Sequence, residues 1–259
     1  MRASRVSELV VLQDQAALSE EAAERFSTIA ESAVAQAGRF TVALAGGSTP
    51  RPVYARLVTE PYRSRIPWRR TIVFWGDERC VPPDHPDSNY RMAEETLLRH
   101  LPVAPEGVYR MRGEDPEPAR AASNYEQLLR AAFQLEAGAV PRFDLILLGM
   151  GGDGHTASLF PGSSALAERA HLVAAPYVER LLAYRLTLTL PVINAAAAIL
   201  FLISGREKAE ILRSVLDPSW SDNQIPARQV CPRDGRLIWL VDQAAASLLD
   251  RGSREGEGR

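Results

Sequence analysis

The stretch FDLILLGMGGDGHT, residues 143–156, runs from an apolar segment straight into a turn of four glycines, one carboxylate and one imidazole. Uninterrupted apolar residues closed by glycine read as a strand covered on both faces, as parallel sheets between layers of helix require. In open parallel sheets, ligands bind outside the carboxyl ends of the strands, so this glycine turn marks one sheet edge as the place for a site.

Working outward, the same pattern recurs. Arg39–Ala45 (RFTVALA), Thr71–Trp75 (TIVFW), Ala198–Ser204 (AILFLIS) and Leu237–Val241 (LIWLV) are further buried-strand candidates. Helical patterns lie between them at Glu20–Gln36, Tyr90–His100, Pro118–Leu135 and Lys208–Leu216, with Asp87 or Ser88 placed to cap the second. Strands alternating with helices predict an α/β fold, a mostly parallel Rossmann-like sheet flanked by helices, with residues 1–250 as one domain. The three prolines of Val81–Asp87 (VPPDHPD) and the polar, proline-containing Ser219–Pro232 read as loops. Arg251–Arg259 (RGSREGEGR) contains only glycine, serine and charged residues and reads as a disordered tail.

Composition narrows the class of partner. The 259 residues, 46% hydrophobic and 24% charged, are those of an ordinary globular protein. Thirty basic and 32 acidic residues leave a net charge of −2, which offers nucleic acid or an anionic bilayer no broad attraction. Cys80 and Cys231 stand in no CxxC or Cys/His spacing, so neither a disulfide framework nor a zinc site is expected. No stretch resembles a signal peptide or reaches the roughly 20 apolar residues of a membrane span. The expectation is a cytoplasmic protein acting on a small molecule, as a monomer or small homo-oligomer, without metal or cofactor.

Four unusual segments each begin where a predicted strand ends, so four loops converge on one pocket. In Gly46-Gly47-Ser48-Thr49-Pro50, the glycines allow close backbone approach, Thr49 is placed to cap a helix and Pro50 suits its first turn. That composition serves a phosphate cradle or a plain capped turn. Gly76-Asp77-Glu78-Arg79 puts three ionisable residues at a strand end, either on a pocket rim or in a solvated turn. In Gly149–Thr156, the glycines surround Asp153 and His155, and imidazole is the side chain suited to general acid–base work.

The fourth segment, Ser204–Ala209 (SGREKA), holds Lys208, the only lysine beside 29 arginines among the 30 basic residues. A compact ammonium on the first turn of a helix, aimed at a phosphate over Gly46–Thr49, accounts for lysine where arginine is the general choice. A stray lysine on a solvated helix face is the alternative. In Tyr184–Leu190 (YRLTLTL), strict alternation puts Arg185, Thr187 and Thr189 on one strand face, and Arg185 is a candidate partner for Lys208.

Together these segments resemble a known family. LAGGSTP (Leu44–Pro50), FWGDERCVPPDHPDSNYRMA (Phe74–Ala93), LILLGMGGDGHTASLFPGS (Leu145–Ser163), RLTLTLPVINAA (Arg185–Ala196) and SGREKAEIL (Ser204–Leu212) are similar, in order, to bacterial-type 6-phosphogluconolactonases. That group is related in fold to the glucosamine-6-phosphate isomerase/deaminases. The resemblance implies hydrolysis of 6-phospho-D-glucono-1,5-lactone to 6-phospho-D-gluconate in the oxidative pentose phosphate pathway, with neither metal nor covalent nucleophile.

On that resemblance, His155 is the general base for water, oriented by Asp153 or Asp77, with N–H groups near Gly151 and Gly152 receiving the oxyanion. Gly46, Gly47, Ser48, Thr49, Arg185 and Lys208 would hold the phosphate, and Arg79 would face the lactone or its developing carboxylate. A glucosamine-6-phosphate isomerase/deaminase is the next reading, but that family has tyrosine after its Asp-Glu pair, where this chain has Arg79, Cys80 and the proline loop. A sugar-phosphate-sensing regulatory domain is a third, for which no basic recognition helix is found.

Overall fold

The computed structural model describes residues 7–217 and 224–249, so the expected tail at Arg251–Arg259 and part of the Ser219–Pro232 loop lie outside the described residues. Its strands, in chain order, are β1 (Ser7–Leu12), β2 (Phe40–Leu44), β3 (Thr71–Trp75), β4 (Asp77–Arg79), β5 (Leu145–Leu148), β6 (Val173–Ala174), β7 (Tyr177–Val178), β8 (Ala183–Leu188), β9 (Ala198–Ile203) and β10 (Arg236–Asp242). The longer helices are α1 (Gln15–Ala37), α2 (Pro50–Leu57), α3 (Asn89–Thr96), α4 (Pro118–Ala132) and α5 (Ala209–Leu216).

Six strands form the main sheet in the order β1-β10-β9-β5-β2-β3, every neighbouring pair parallel. This is the α/β fold expected, with all carboxyl ends on one edge. The chain passes from β2 outward to β3 and then returns to the other side of β2 as β5. That reversal opens a crevice between the turns after β2 and β5, where ligands of such sheets bind.

Residue chemistry accounts for the elements. In α1, the Asp14 carboxylate accepts the Ala17 N–H at 2.8 Å, and Gly38 ends the helix with φ of 72°, a conformation glycine adopts without penalty. Leu18, Ala22, Phe26, Ile29, Ala30 and Ala33 recur at helical spacing and are buried. Phe26 meets Phe40 of β2 edge-to-face at 5.3 Å. Within the sheet, Phe201 and Trp239 stack at 4.0 Å across β9 and β10.

Some expectations need correction. Strand β1 is additional to those expected: it is an edge strand that, among the described residues, pairs with β10 alone, and its Leu9 side stays exposed. The helix expected over Glu20–Gln36 starts at Gln15, because Asp14 caps it. Ser88, and not Asp87, caps α3, accepting the Arg91 N–H at 3.1 Å. The Ser219–Pro232 loop contains a short helix at Pro226–Gln229.

A second, antiparallel sheet, β4-β8-β6 with β7 also paired to β8, takes in the alternating strand expected over Tyr184–Leu190, and its other strands are additional to those expected. Its strands are short or charged, and the Leu188 N–H ties it to the end of β3 through the Gly76 carbonyl at 2.8 Å. Thr187 and Thr189 lie buried here and not on an open face. Thr187 Oγ accepts the Ser158 N–H and donates to Leu188, and Thr189 Oγ donates to the His171 carbonyl.

At the opposite edge, Asp144 accepts both the N–H and the hydroxyl of Thr41 at 2.7 Å each, locking the entrance of β5 to that of β2. Thr41 is buried, so Asp144→Ala leaves its N–H without an acceptor. Urea unfolding of Asp144→Ala is expected to show a loss of about 1–3 kcal/mol, while catalytic turnover per folded molecule is retained.

Candidate active site

Turns from both sheets enclose a cavity of about 340 Å³ at the carboxyl edge. The turn after β2 forms one wall. Gly47 there has φ of +105°, a conformation that favours glycine, and Pro50 opens α2. Tyr54, one turn into α2, accepts the Ala45 N–H at 3.0 Å and donates to the Ala45 carbonyl at 2.7 Å, fixing where the strand stops. Thr49 stands at the cap position but its own backbone is already helical, with φ −72° and ψ −42°, and its hydroxyl makes no capping bond. Gly46, Gly47, Ser48 and Thr49 all line the cavity, with the positive end of α2 behind them.

Lys208 lines the same cavity from the turn after β9. It closes a 3-10 turn, Arg206–Lys208, and stands at the cap position of α5. Its backbone N–H donates to the Gly205 carbonyl at 3.1 Å, and among the described residues its ammonium group forms no hydrogen bond or ion pair. Asp242 holds the turn from below, accepting the Gly205 N–H at 3.1 Å and the Ser204 hydroxyl. Glu207 also reaches the cavity wall, its carboxylate folded over Gly205.

The second sheet supplies the facing wall. Arg79 of β4 and Arg185 of β8 are register partners, and both line the cavity. Their guanidinium groups donate only to backbone carbonyls, of Asp87 and Tyr184, and among the described residues neither has a carboxylate partner. Burial, and then the charge of Arg79, depresses the pKa of Arg185 below the usual arginine value. Two crowded cations that no ion pair neutralises favour an anionic ligand.

The turn after β5 brings in the titratable pair. His155 Nδ1 lies 2.5 Å from Asp153 Oδ1, and the His155 backbone N–H reaches the same oxygen at 3.2 Å. Burial raises the Asp153 pKa, but the hydrogen bond and charge of His155 outweigh it and hold the carboxyl at about 2. An ionised carboxylate accepting from Nδ1–H fixes the tautomer and leaves Nε2 as the free ring nitrogen. A Cβ at Gly151 would stand 2.0 Å from His155 Nδ1, so the pair closes only over glycine.

Two sequence expectations change here. The Gly151 N–H donates to the His155 carbonyl at 2.9 Å, and Gly152 is exposed and outside the cavity wall, so this pair does not present free N–H groups to an oxyanion. Asp77 lines the cavity without touching His155. Its carboxylate accepts Ser158 Oγ–H at 2.7 Å and Asn89 Nδ2–H at 3.3 Å.

Glu78 stands neither on the pocket rim nor in a solvated turn, and Asn89, Ser158 and Arg180 are cavity residues that the sequence did not single out. Glu78, 2% exposed, accepts the N–H groups of Arg79, Asn89 and Tyr90 at 2.7–2.8 Å and so binds the start of α3 to β4. Burial raises its pKa, and those three N–H bonds work in the opposite direction. Asn89, thus placed, crosses over Gly46, where any Cβ would stand 1.8 Å from Asn89 Oδ1. Ser158 and Arg180 reach the cavity from the rest of the glycine turn and from the β7–β8 hairpin. Only the Asn-Tyr start of a capped helix and a lone arginine in a short hairpin could have signalled these. Among the described residues, no cluster of three or more His, Cys, Asp or Glu is placed to hold a metal ion, and no helix is long and apolar enough to cross a membrane.

Comparison with known proteins fits this geometry. Relatives described as 6-phosphogluconolactonase from Nostoc sp. and Synechocystis sp. are 41% and 42% identical, each alignment covering 92% of this chain and 97% of the relative. The solved 6-phosphogluconolactonase of Trypanosoma brucei superposes with a TM-score of 0.84 at 31% identity, covering 95% of this chain and 100% of that one. A monomeric glucosamine-6-phosphate deaminase shares the fold at 23% identity, with a TM-score of 0.78 over 93% of this chain and 99% of its own. Residues 13–239 match the sequence pattern of Glucosamine-6-phosphate isomerases/6-phosphogluconolactonase, and the chain belongs to that family.

Proposed function

We propose that the chain hydrolyses 6-phospho-D-glucono-1,5-lactone to 6-phospho-D-gluconate, with His155 as general base for water. One observation carries the reading: His155, paired with Asp153, lines a cavity that also gathers Lys208, Arg79 and Arg185, cations suited to a phosphorylated sugar ester. The names of the cyanobacterial relatives support the same reaction class.

The phosphate lies against Gly46–Thr49 and Lys208, with Arg185 completing the charge balance. Asp153 keeps Nδ1 protonated, so Nε2 takes a proton from water as the water oxygen adds to the lactone carbonyl carbon. Negative charge then develops on the carbonyl oxygen, and Arg79 takes the stabilising role that Gly151 and Gly152 do not fill. Collapse of the adduct breaks the bond to the ring oxygen, which receives the proton from the imidazolium. A strained lactone is already activated, so positioning and one base suffice. Asp77, held by Ser158 and Asn89, accepts sugar hydroxyls and does not orient the base.

Freshly generated 6-phosphogluconolactone is expected to be turned over far above its spontaneous rate, and unphosphorylated gluconolactone only weakly. Background-level hydrolysis together with ammonia release from glucosamine-6-phosphate would overturn the proposal in favour of the deaminase chemistry of the same family. His155→Ala is expected to lower kcat by about 10²–10⁴-fold with KM little changed, and near-full kcat would remove His155 from its role. Lys208→Met is expected to raise KM chiefly, and an unchanged KM would return that lysine to a solvated surface.

A further inference from the structure

Arg180 lies at the tip of the β7–β8 hairpin, in the 3-10 turn Glu179–Leu181. The hairpin is closed at its base by Tyr177 and Tyr184, whose rings meet at 5.0 Å, and its turn by the Leu182 N–H donating to the Glu179 carbonyl at 3.0 Å. From there the guanidinium reaches the Asp153 carboxylate at 2.7 Å, on the oxygen that His155 does not use. The same guanidinium nitrogen stands 3.4 Å from His155 Nδ1. Phe160 supports the group, 4.6 Å from the guanidinium carbon and 4.4 Å from the imidazole ring. Asp153 is therefore shared between a fixed cation and the imidazole.

We infer that Arg180 is a positioning residue that sets the protonation of His155 through Asp153. An unshared Asp153 carboxylate would stabilise the imidazolium and hold the base protonated. Arg180 offsets that charge and disfavours a second cation 3.4 Å away, which favours the imidazole as acceptor of a proton from water. The other charged groups facing the cavity are Asp77 and Arg79 from β4, Arg185 from β8, and Glu207 and Lys208 from the turn after β9. Among the described residues, none of them hydrogen-bonds or ion-pairs with His155, which leaves Arg180 and Asp153 as its charged contacts. The Arg180 side chain is 50% exposed, so solvent screens part of its effect.

The inference rests on His155 being the base, and the test separates the two. The pH dependence of kcat and KM is measured for the parent chain, His155→Ala, Arg180→Gln and Arg180→Lys, with the spontaneous rate subtracted. Arg180→Gln is expected to move the acid limb of kcat to higher pH by about one unit, the loss being concentrated below the limb, and Arg180→Lys to restore it in large part. An acid limb that stays in place overturns the inference, and a raised KM with an unmoved limb makes Arg180 a substrate ligand instead. Near-full activity in His155→Ala overturns the base assignment itself, irrespective of Arg180.

Discussion

The parallel pairing of β2 with β5 is the contact on which the site depends. It sets side by side two turns that are far apart in sequence, one built for an anion and one holding the imidazole. Because both strands run the same way, their carboxyl ends open to the same edge. The lock between Thr41 and Asp144 secures this pairing at the far edge, away from the cavity. Stability and chemistry are thus drawn from opposite ends of the same two strands.

Around that pairing, glycines act through what they leave out. At Gly46 the missing side chain makes room for Asn89, and at Gly151 it makes room for the His155–Asp153 pair. Neither position is chiefly about a ligand approaching the backbone. Glu78 extends the same logic, since a buried carboxylate with no ion pair among the described residues is stabilised by N–H groups at the start of α3, and so couples the second sheet to the first. The wall bearing Arg79 and Arg185 owes its position to that coupling.

Most of the main sheet was legible because doubly covered strands are written as unbroken apolar runs, and Thr71–Trp75 was read with the boundaries observed. The edge strand β1 was not legible, and of the small second sheet only the alternation of Tyr184–Leu190 was, since β4 and β6 answer to a strand far away in sequence. In the site, the convergence of Gly46–Thr49, Asp77, Arg79, His155, Arg185 and Lys208 on one cavity could be anticipated from where the strands end. The partner of His155 could not be chosen between Asp153 and Asp77, because turn geometry decides it. Arg180 carried no motif, and only the fold of the hairpin gives it a neighbour.

The near-absence of lysine has a chemical consequence of its own. An activated ester such as a strained lactone acylates amines as well as water, and guanidinium groups, protonated throughout the working range, do not compete as nucleophiles. With 29 arginines and Lys208 alone, this chain presents such an electrophile with a single side-chain amine. That amine stands in the cavity wall, where the proposed reading sets it against the phosphate and not the lactone carbonyl. The outer surface carries its positive charge in a form that the proposed substrate does not modify.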